Sequence, residues 1–155
     1  MAVEIEHKYL VKIEEWNKVA TTKYMEIRQG YLQTDPHKTI RVRTKGNQAY
    51  LTVKGKAVGA SRLEFEYEIP VADANELLDK FCSNLIEKVR HYVIHEGKTW
   101  EIDVFTGLNA GLIVAEIELN SEDETYTLPS WAGANVTNEM KYANSNLSVT
   151  PFSRW

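Results

Sequence analysis

The stretch Val3-Glu4-Ile5-Glu6-His7-Lys8-Tyr9-Leu10 alternates charged and apolar residues over most of its length. Side chains of a β-strand point alternately to opposite faces, so this period of two predicts a strand with two unlike faces. Glu4, Glu6 and Lys8 share one face, and apolar residues share the other. In an ordinary half-buried strand the charged face meets water. The rest of the chain decides whether that is the case here.

The same alternation recurs along the chain and predicts a sheet of about eight strands. The predicted strands cover residues 4–10, 39–43, 49–54, 62–70, 87–94, 98–105 and 112–119, with a further candidate at 30–33. Turn-forming residues such as Lys45-Gly46-Asn47 and Glu96-Gly97 separate several neighbours. We therefore expect antiparallel pairing between consecutive strands.

Helices are predicted at residues 14–20, 73–83 and 138–147, and residues 121–136 are expected to connect elements and to be partly helical at most. The helix at 73–83 has one apolar stripe that should cover an apolar surface. The stripe consists of Ala74, Leu77, Leu78 and Phe81. The helix at 138–147 would cover one end of the sheet structure or pack on its outside. A single domain over residues 1–155 accommodates all these elements.

The charged residues of the predicted strands fall almost completely on one face. That face carries Glu4, Glu6, Lys8, Arg41, Arg43, Thr52, Lys54, Glu64, Glu66, Glu68, Lys88, Arg90, Glu101, Asp103, Glu116 and Glu118. An open sheet or sandwich with a solvated charged face satisfies this pattern, and so does a closed barrel with a charged lumen. Like charges two residues apart repel unless an opposite charge lies between them, which favours the barrel. The predicted fold is α+β and mainly β, a closed eight-stranded antiparallel barrel with helices packed outside.

The composition limits the classes of partner. The net charge of −4 gives no bulk attraction to nucleic acid or to an anionic membrane. The sequence contains no apolar run long enough to span a membrane and no leader-like start, so the expected location is the cytoplasm. Cys82 follows an apolar run and is expected in the core rather than as a nucleophile. We expect a monomer or a homodimer, with Phe152 and Trp155 as candidate contacts.

The charged face has the chemistry of a polyphosphate site. Six basic residues suit a ligand with several negative charges, because guanidinium forks match phosphate oxygens and ammonium groups act as point charges. They are Lys8, Arg41, Arg43, Lys54, Lys88 and Arg90. The pairs Glu4/Glu6 and Glu116/Glu118 offer hard oxygen ligands for Mg²⁺ or Mn²⁺, with room for two ions. A small-molecule triphosphate that binds together with a divalent metal would use both the basic residues and the carboxylate pairs.

With these residues assembled, the chain resembles the CYTH superfamily, the triphosphate tunnel metalloenzymes. The resemblance rests on motifs in the expected order over residues 3–119, which are Glu4-Ile5-Glu6-His7-Lys8, Arg41-Val42-Arg43, Thr52-Val53-Lys54, Arg62-Leu63-Glu64-Phe65-Glu66, Lys88-Val89-Arg90, Glu101-Ile102-Asp103 and Glu116-Ile117-Glu118. It implies a closed eight-stranded tunnel that binds a triphosphate and a divalent metal. Members include class IV adenylyl cyclases, thiamine triphosphatases, RNA triphosphatases and inorganic triphosphatases. Small single-domain members that share a stretch like Gln29-Gly30-Tyr31-Leu32 are often inorganic tripolyphosphatases.

The leading hypothesis is metal-dependent hydrolysis of tripolyphosphate to diphosphate and phosphate. The basic residues would neutralise charge on the transferred group, and the candidate catalytic residues are Lys8, Glu64, Glu66 and Asp103. The three carboxylates would make outer-shell contacts or orient the attacking water.

The alternatives are an adenylyl cyclase that converts ATP to cyclic AMP, a thiamine triphosphatase, and a non-catalytic polyphosphate-binding module. Thiamine would need an aromatic contact at the tunnel mouth, from Tyr31 or Trp16. Arg28 is expected in solvent rather than at the mouth, and His7, opposite the charged face, is expected to be structural.

Overall fold

The computed structural model describes residues 3–21 and 23–155, and nine β-strands dominate it. The strands are β1 (Val3–Val11), β2 (Tyr24–Gln33), β3 (Lys38–Lys45), β4 (Gln48–Gly55), β5 (Ser61–Ile69), β6 (Ile86–His95), β7 (Lys98–Phe105), β8 (Ile113–Glu118) and β9 (Ala132–Asn135). The α-helices are α1 (Ile13–Trp16), α2 (Val71–Phe81) and α3 (Asn144–Val149). Short 3-10 helices cover Gly107–Asn109, Met140–Tyr142 and Phe152–Arg154.

The strands close into an antiparallel barrel, as the alternation predicts. The order is β5-β4-β3-β2-β6-β7-β8-β1, and a further pairing between β5 and β1 closes the ring. The pairing that closes the barrel is short, with Val3 opposite Leu63 and Ile5 opposite Ser61. Beyond it, β1 turns from β5 to the ninth strand, β9, where Tyr9 pairs with Asn135. The first strand therefore contacts three neighbours and joins the two ends of the sheet.

The apolar face of each strand points outward and packs under the helices and long connections. One outer cluster around β1, β7 and β8 is rich in aromatic residues, among them Tyr9, Trp16, Trp100 and Trp131. A second cluster lies at one end of the barrel interior, where Tyr142 and Leu147 pack with Ile86, Phe105 and Val114. Phe105 pairs with Lys88 and Val114 pairs with Asp103, so these apolar side chains lie on the inward face. A third joins α2 to β3 and β4. Burial of these apolar faces, at roughly 25 cal/mol per Å², drives closure of the barrel.

Helix α2 covers the outside of β3 and β4, although its stripe is narrower than predicted. Ala74 and Leu78 are buried, but Phe81 is 69% exposed, so its predicted place on the buried stripe was wrong. The helix ends at Phe81, and the chain then turns extended at Cys82, which directs the ring away from the barrel. Cys82 itself is half-buried and packs with the α2 cluster, where burial raises the pKa of its thiol.

The C-terminal third differs from the prediction in two places. A helix over 138–147 was wrong, because the chain forms the 3-10 helix Met140–Tyr142 and then α3 over Asn144–Val149. The segment 121–136, expected only to connect elements, contains β9. The predicted helix at 14–20 is shorter and ends at Trp16. None of the helices in the described part of the chain is long and apolar enough to cross a membrane.

Candidate active site

The inward faces of all eight barrel strands meet around a central cavity of about 210 Å³, and all but β2, which contributes Tyr31, bring charged side chains to it. Twelve of the thirteen candidate residues named from the sequence line it. They are Glu4, Glu6, Lys8, Arg41, Arg43, Lys54, Glu64, Glu66, Lys88, Arg90, Glu116 and Glu118. The thirteenth, Asp103, lies behind the lining and is 1% exposed. The alternation of eight separate strands thus brings together residues more than a hundred positions apart.

One side of the cavity, formed largely by β3, is basic. The Nη2 atom of Arg41 donates to Oγ1 of Thr52 at 3.2 Å and to Oε2 of Glu66 at 3.3 Å, and Arg43 reaches the same Glu66 oxygen at 3.5 Å. The enclosed Nε atoms of both arginines have no hydrogen-bond partner in the described part of the chain. Burial, with repulsion from Arg41 and Arg90, lowers the pKa of Arg43 to about 10. Buried donors without acceptors cost free energy, so this side favours an anion.

A buried ion network continues the basic side through β6 and β7. Arg90 donates from Nε to Oδ1 of Asp103 at 2.7 Å and from Nη2 to Oδ2 at 2.9 Å. Lys88 Nζ lies 2.8 Å from the same Oδ2 atom. Burial acts to raise the pKa of Asp103, but the two cations outweigh it and hold that pKa well below its usual range. Burial lowers the pKa of Lys88 to about 8, with repulsion from Arg90 adding to it. Asp103 is therefore an ionised anchor that fixes two cations toward the cavity.

The opposite side, formed by β1 and β8, is acidic. Burial and repulsion from Glu116 and Glu4 raise the pKa of Glu6 well above its usual value, and burial beside Glu101 raises the pKa of Glu118. Glu4 and Glu116 have cationic partners, because Glu4 lies 3.0 Å from Lys54 Nζ and Glu116 lies 3.8 Å from Lys8 Nζ. Burial acts to raise the pKa of Glu116, but Lys8 and Arg90 hold it at about 2. This side favours a cation in addition to the lysines that it already holds.

The acidic side suits a divalent metal by its chemistry. Four carboxylates supply hard oxygen donors, which Mg²⁺ and Mn²⁺ prefer, and the raised pKa values of Glu6 and Glu118 record local repulsion that a cation would relieve. Within residues 3–21 and 23–155, however, no three acidic, histidine or cysteine side chains already converge as ligands. The bond between Glu4 and Lys54 shows one reason, since that carboxylate is turned toward an ammonium group.

The C-terminal segment covers one end of the cavity. Ala143, Asn144 and Ser145 belong to the lining, and Lys88 Nζ donates to Oδ1 of Asn144 at 3.1 Å. Lys8 Nζ donates to the backbone oxygen of Tyr142 at 3.5 Å. The segment is held there because Tyr142 and Leu147 are buried with Ile86, Phe105 and Val114 at that end of the barrel interior. It therefore covers the tunnel end rather than packing on the outside of the barrel.

Several residues considered from the sequence lie elsewhere. Arg28 points outward and pairs with Asp79 of α2 at 2.5 Å, so it does not reach the tunnel mouth. Trp16 packs against Trp131 in the outer cluster, which excludes it as a contact at the mouth, whereas Tyr31 lines the cavity. His7 is structural, because its Nδ1 atom lies 2.5 Å from the hydroxyl of Tyr126 on the outer face.

Lining residues outside the predicted set fall into two groups. Thr39, Lys45 and Arg62 continue the inward faces of β3 and β5, and Glu101, which the alternation had already placed on the charged face, lines the cavity as well. The alternation rule, extended to the strand ends, would have found the other three. Ala143, Asn144 and Ser145 come from an irregular segment, whose position depends on tertiary packing and has no period in the sequence.

Known proteins share both the sequence and this architecture. The CYTH domain family matches residues 2–150. The inorganic triphosphatase of Acetivibrio thermocellus is 46% identical over 156 residues, which cover 100% of this chain and 99% of that protein. The inorganic triphosphatase of Nitrosomonas europaea is 32% identical over 151 residues, which cover 95% of this chain and 97% of that protein. A crystal structure of an inorganic triphosphatase matches with a TM-score of 0.67 at 30% identity, over 97% of each chain.

Proposed function

The chain belongs to the CYTH domain family, and we propose that it is a metal-dependent triphosphatase that hydrolyses inorganic tripolyphosphate to diphosphate and phosphate. Two relatives of nearly equal length, at 46% and 32% identity, are inorganic triphosphatases. The observation that carries the proposal is the convergence of six basic side chains on one cavity, namely Lys8, Arg41, Arg43, Lys54, Lys88 and Arg90. Phosphate oxygens are acceptors of the matching charge and geometry.

The basic residues would bind the phosphates and neutralise the charge that spreads over the transferred group. Arg41 and Arg43 can each offer a second donor while Glu66 holds their Nη2 atoms in place. Lys8, Lys54 and Arg90 add positive charge from other strands. In phosphoryl transfer, such positioning and electrostatic stabilisation supply most of the rate enhancement.

In the reaction, a water oxygen attacks a terminal phosphorus, the bridging P–O bond breaks, and diphosphate leaves with that bond's electron pair. The water proton must pass to a base. Lys88 is held as a cation 2.8 Å from Asp103, so the carboxylates that line the cavity are the groups able to accept the proton. Glu64, whose pKa burial raises, is a candidate to orient the water. Asp103 serves instead as a positioning residue, since its oxygens are engaged by Arg90 and Lys88.

The metal would be held by Glu6, Glu116 and Glu118, and by Glu4 after exchange of its bond with Lys54. Their oxygen donors suit one or two ions of Mg²⁺ or Mn²⁺. Such an ion neutralises phosphate charge and lowers the pKa of bound water. The chain's own contribution is to keep Glu116 ionised, through the nearby cations Lys8 and Arg90.

The lining favours an inorganic substrate over a nucleotide or thiamine triphosphate. Among the described residues that line the cavity, Tyr31 and Ala143 are the apolar or aromatic ones. A purine or thiazolium ring would need a larger apolar contact area. Tyr31 alone gives little support to a cyclase or a thiamine triphosphatase.

A substrate panel tests the proposal. Tripolyphosphate, ATP and thiamine triphosphate are each incubated with Mg²⁺, with Mn²⁺ and with a chelator, and released phosphate and cyclic AMP are measured. We expect metal-dependent release of phosphate, fastest from tripolyphosphate. Faster turnover of ATP, or formation of cyclic AMP, would contradict the proposal, and tight binding without turnover would indicate a binding module.

A matched pair of variants ties the activity to the cavity. Arg43→Gln should lower kcat/KM for tripolyphosphate by about 100-fold, because the buried guanidinium is lost from the phosphate site. Arg28→Gln removes the same charge from the outer surface and should retain activity. Equal activity of the two variants would exclude the cavity as the site.

A further inference from the structure

The basic side of the tunnel extends past the residues that the proposed function uses. Lys45 is the last residue of β3 and follows Arg41 and Arg43 on the same inward face. Side chains two residues apart on a strand are about 6.6 Å apart along it. Lys45 lines the same cavity as Arg43 and therefore adds a positive charge one step further along the tunnel.

Lys45 shares an aromatic ring with a second lysine. Its Nζ atom lies 5.7 Å from the centre of the Tyr92 ring, and Nζ of Lys23 lies 4.9 Å from it. Lys23 is held beside Tyr92, whose backbone N–H donates to the Lys23 oxygen at 3.1 Å. Neither ammonium group forms an ion pair with a carboxylate within residues 3–21 and 23–155. Two cations on one ring repel each other, and an anion between them would remove that repulsion.

This group lies at the end of the tunnel opposite the C-terminal segment. Leu147 packs in one cluster with Ile86, the first residue of β6. Tyr92 lies six residues further along the same strand, which corresponds to about 20 Å. A ligand that extends beyond the central site therefore meets Asn144 and Ser145 at one end and Lys45 at the other.

The acid that pairs with Tyr92 does not neutralise the two lysines. Glu101 pairs with Tyr92 across β6 and β7, but its Oε2 atom accepts from Nη1 of Arg90 at 3.1 Å. The ring of Tyr92 is likewise occupied, since ammonium groups already lie against it and a nucleobase would have to displace them. The ammonium N–H donors remain, and they suit an anion better than a flat aromatic group.

We propose that Lys23, Lys45 and Tyr92 form an additional anion subsite at the tunnel mouth, which binds the fourth phosphate of linear tetraphosphate and longer inorganic polyphosphates. The proposal rests on the proposed function in placing the first three phosphates among Arg41, Arg43 and the central cations. With this subsite, the tunnel mouth distinguishes ligands by their number of phosphates rather than by an organic substituent.

Binding without turnover tests the subsite separately from catalysis. Titration calorimetry in the presence of a chelator measures the affinity of the whole protein for tripolyphosphate, tetraphosphate and ATP. The variants are Lys23→Met, which lies outside the central lining, and Lys80→Met, a matched loss of charge on the exposed face of α2. Lys45→Met serves as a second variant within the subsite.

We expect the protein to bind tetraphosphate about five-fold more tightly than tripolyphosphate, as one further exposed ion contact would give. Lys23→Met should remove this preference and leave tripolyphosphate affinity within about two-fold, and Lys80→Met should leave both affinities unchanged. Equal affinity for the two chains in the wild type, or equal losses in Lys23→Met and Lys80→Met, would overturn the subsite. A loss confined to ATP would overturn it in favour of a nucleobase contact. Tripolyphosphate that binds but is not hydrolysed would contradict only the proposed function.

Discussion

The two sides of the tunnel have opposite charges, and ion pairs such as Lys8 with Glu116 and Lys54 with Glu4 leave like charges crowded on each side. On the acidic side, burial and neighbouring carboxylates raise the pKa of Glu6. On the basic side, burial and neighbouring guanidinium groups lower the pKa of Arg43 to about 10. Each shift disfavours the charged form of its own residue. The cavity therefore suits a ligand with two parts, a cation for one side and a polyanion for the other.

The largest expected effect is a loss of stability when Asp103, the buried acid between Lys88 and Arg90, is neutralised. Asp103→Asn leaves Lys88 and Arg90 buried without their counter-charge, which should cost about 3–5 kcal/mol of unfolding free energy. Denaturant unfolding measures this loss. Asp79→Asn breaks the partly exposed pair with Arg28 and should cost at most about 1 kcal/mol. Similar losses of unfolding free energy in the two variants would show that the buried network contributes no more to stability than the partly exposed pair.

The pH dependence of stability follows from the same residue. Because folding lowers the pKa of Asp103, its contribution is present above the unfolded pKa near 3.8 and decreases as the pH falls below it. The wild-type protein should therefore lose stability more steeply than Asp103→Asn between pH 4 and pH 2. A parallel loss in the two proteins would exclude this linkage.

The next effect concerns catalysis on the acidic side. Glu116→Gln removes a buried carboxylate that faces the cavity and pairs with Lys8, and kcat/KM for tripolyphosphate should fall by about 10²–10³-fold. Glu118→Gln should have an effect in the same direction. Glu76→Gln, on the exposed face of α2, is the matched control and should retain activity. Full activity of both Glu116→Gln and Glu118→Gln would exclude the acidic side from the reaction.

A smaller effect links the acidic side to pH and metal. Because Glu6 and Glu118 have raised pKa values, they keep a proton at higher pH than an ordinary carboxyl group, and a metal must compete with that proton. The acid limb of the pH–rate profile should move down by up to about one pH unit for each tenfold increase in Mg²⁺. Profiles at low and saturating Mg²⁺ measure the shift. An acid limb that does not respond to Mg²⁺ would separate these carboxylates from metal binding.

The smallest expected effect is a gain in stability. Folding raises the pKa of Glu6, so its ionised form opposes folding at neutral pH, and stability falls as the pH rises above the usual value of 4.5. Glu6→Gln removes this cost and should raise Tm by roughly 2–4 °C, while activity is lost. Thermal unfolding beside a phosphate-release assay measures both. A lower Tm would indicate that Glu6 supports the fold instead.

The sequence predicts the inside of this barrel better than its ends. Residues such as Arg41, Arg43 and Glu116 were placed correctly on the inner face because strand alternation is local and has a period of two. Closure of the barrel could be inferred because like charges repeat along several strands, and they repel unless a ligand of opposite charge lies between them. Strand β9 was missed and the C-terminal helix was misplaced, because their positions depend on packing against β1 and on the burial of Leu147, which no local period encodes.

The strict division between inner and outer faces also limits how this protein can change its length during evolution. One residue inserted in a strand would exchange its two faces, bringing apolar side chains into the tunnel and charges into the outer clusters. The same insertion in a hairpin turn leaves both faces in place. Gly46 and Gly97, both at positive φ in turns between strands, mark two positions where relatives should differ in length. We expect the strands between such turns to keep their residue count even where their sequences diverge.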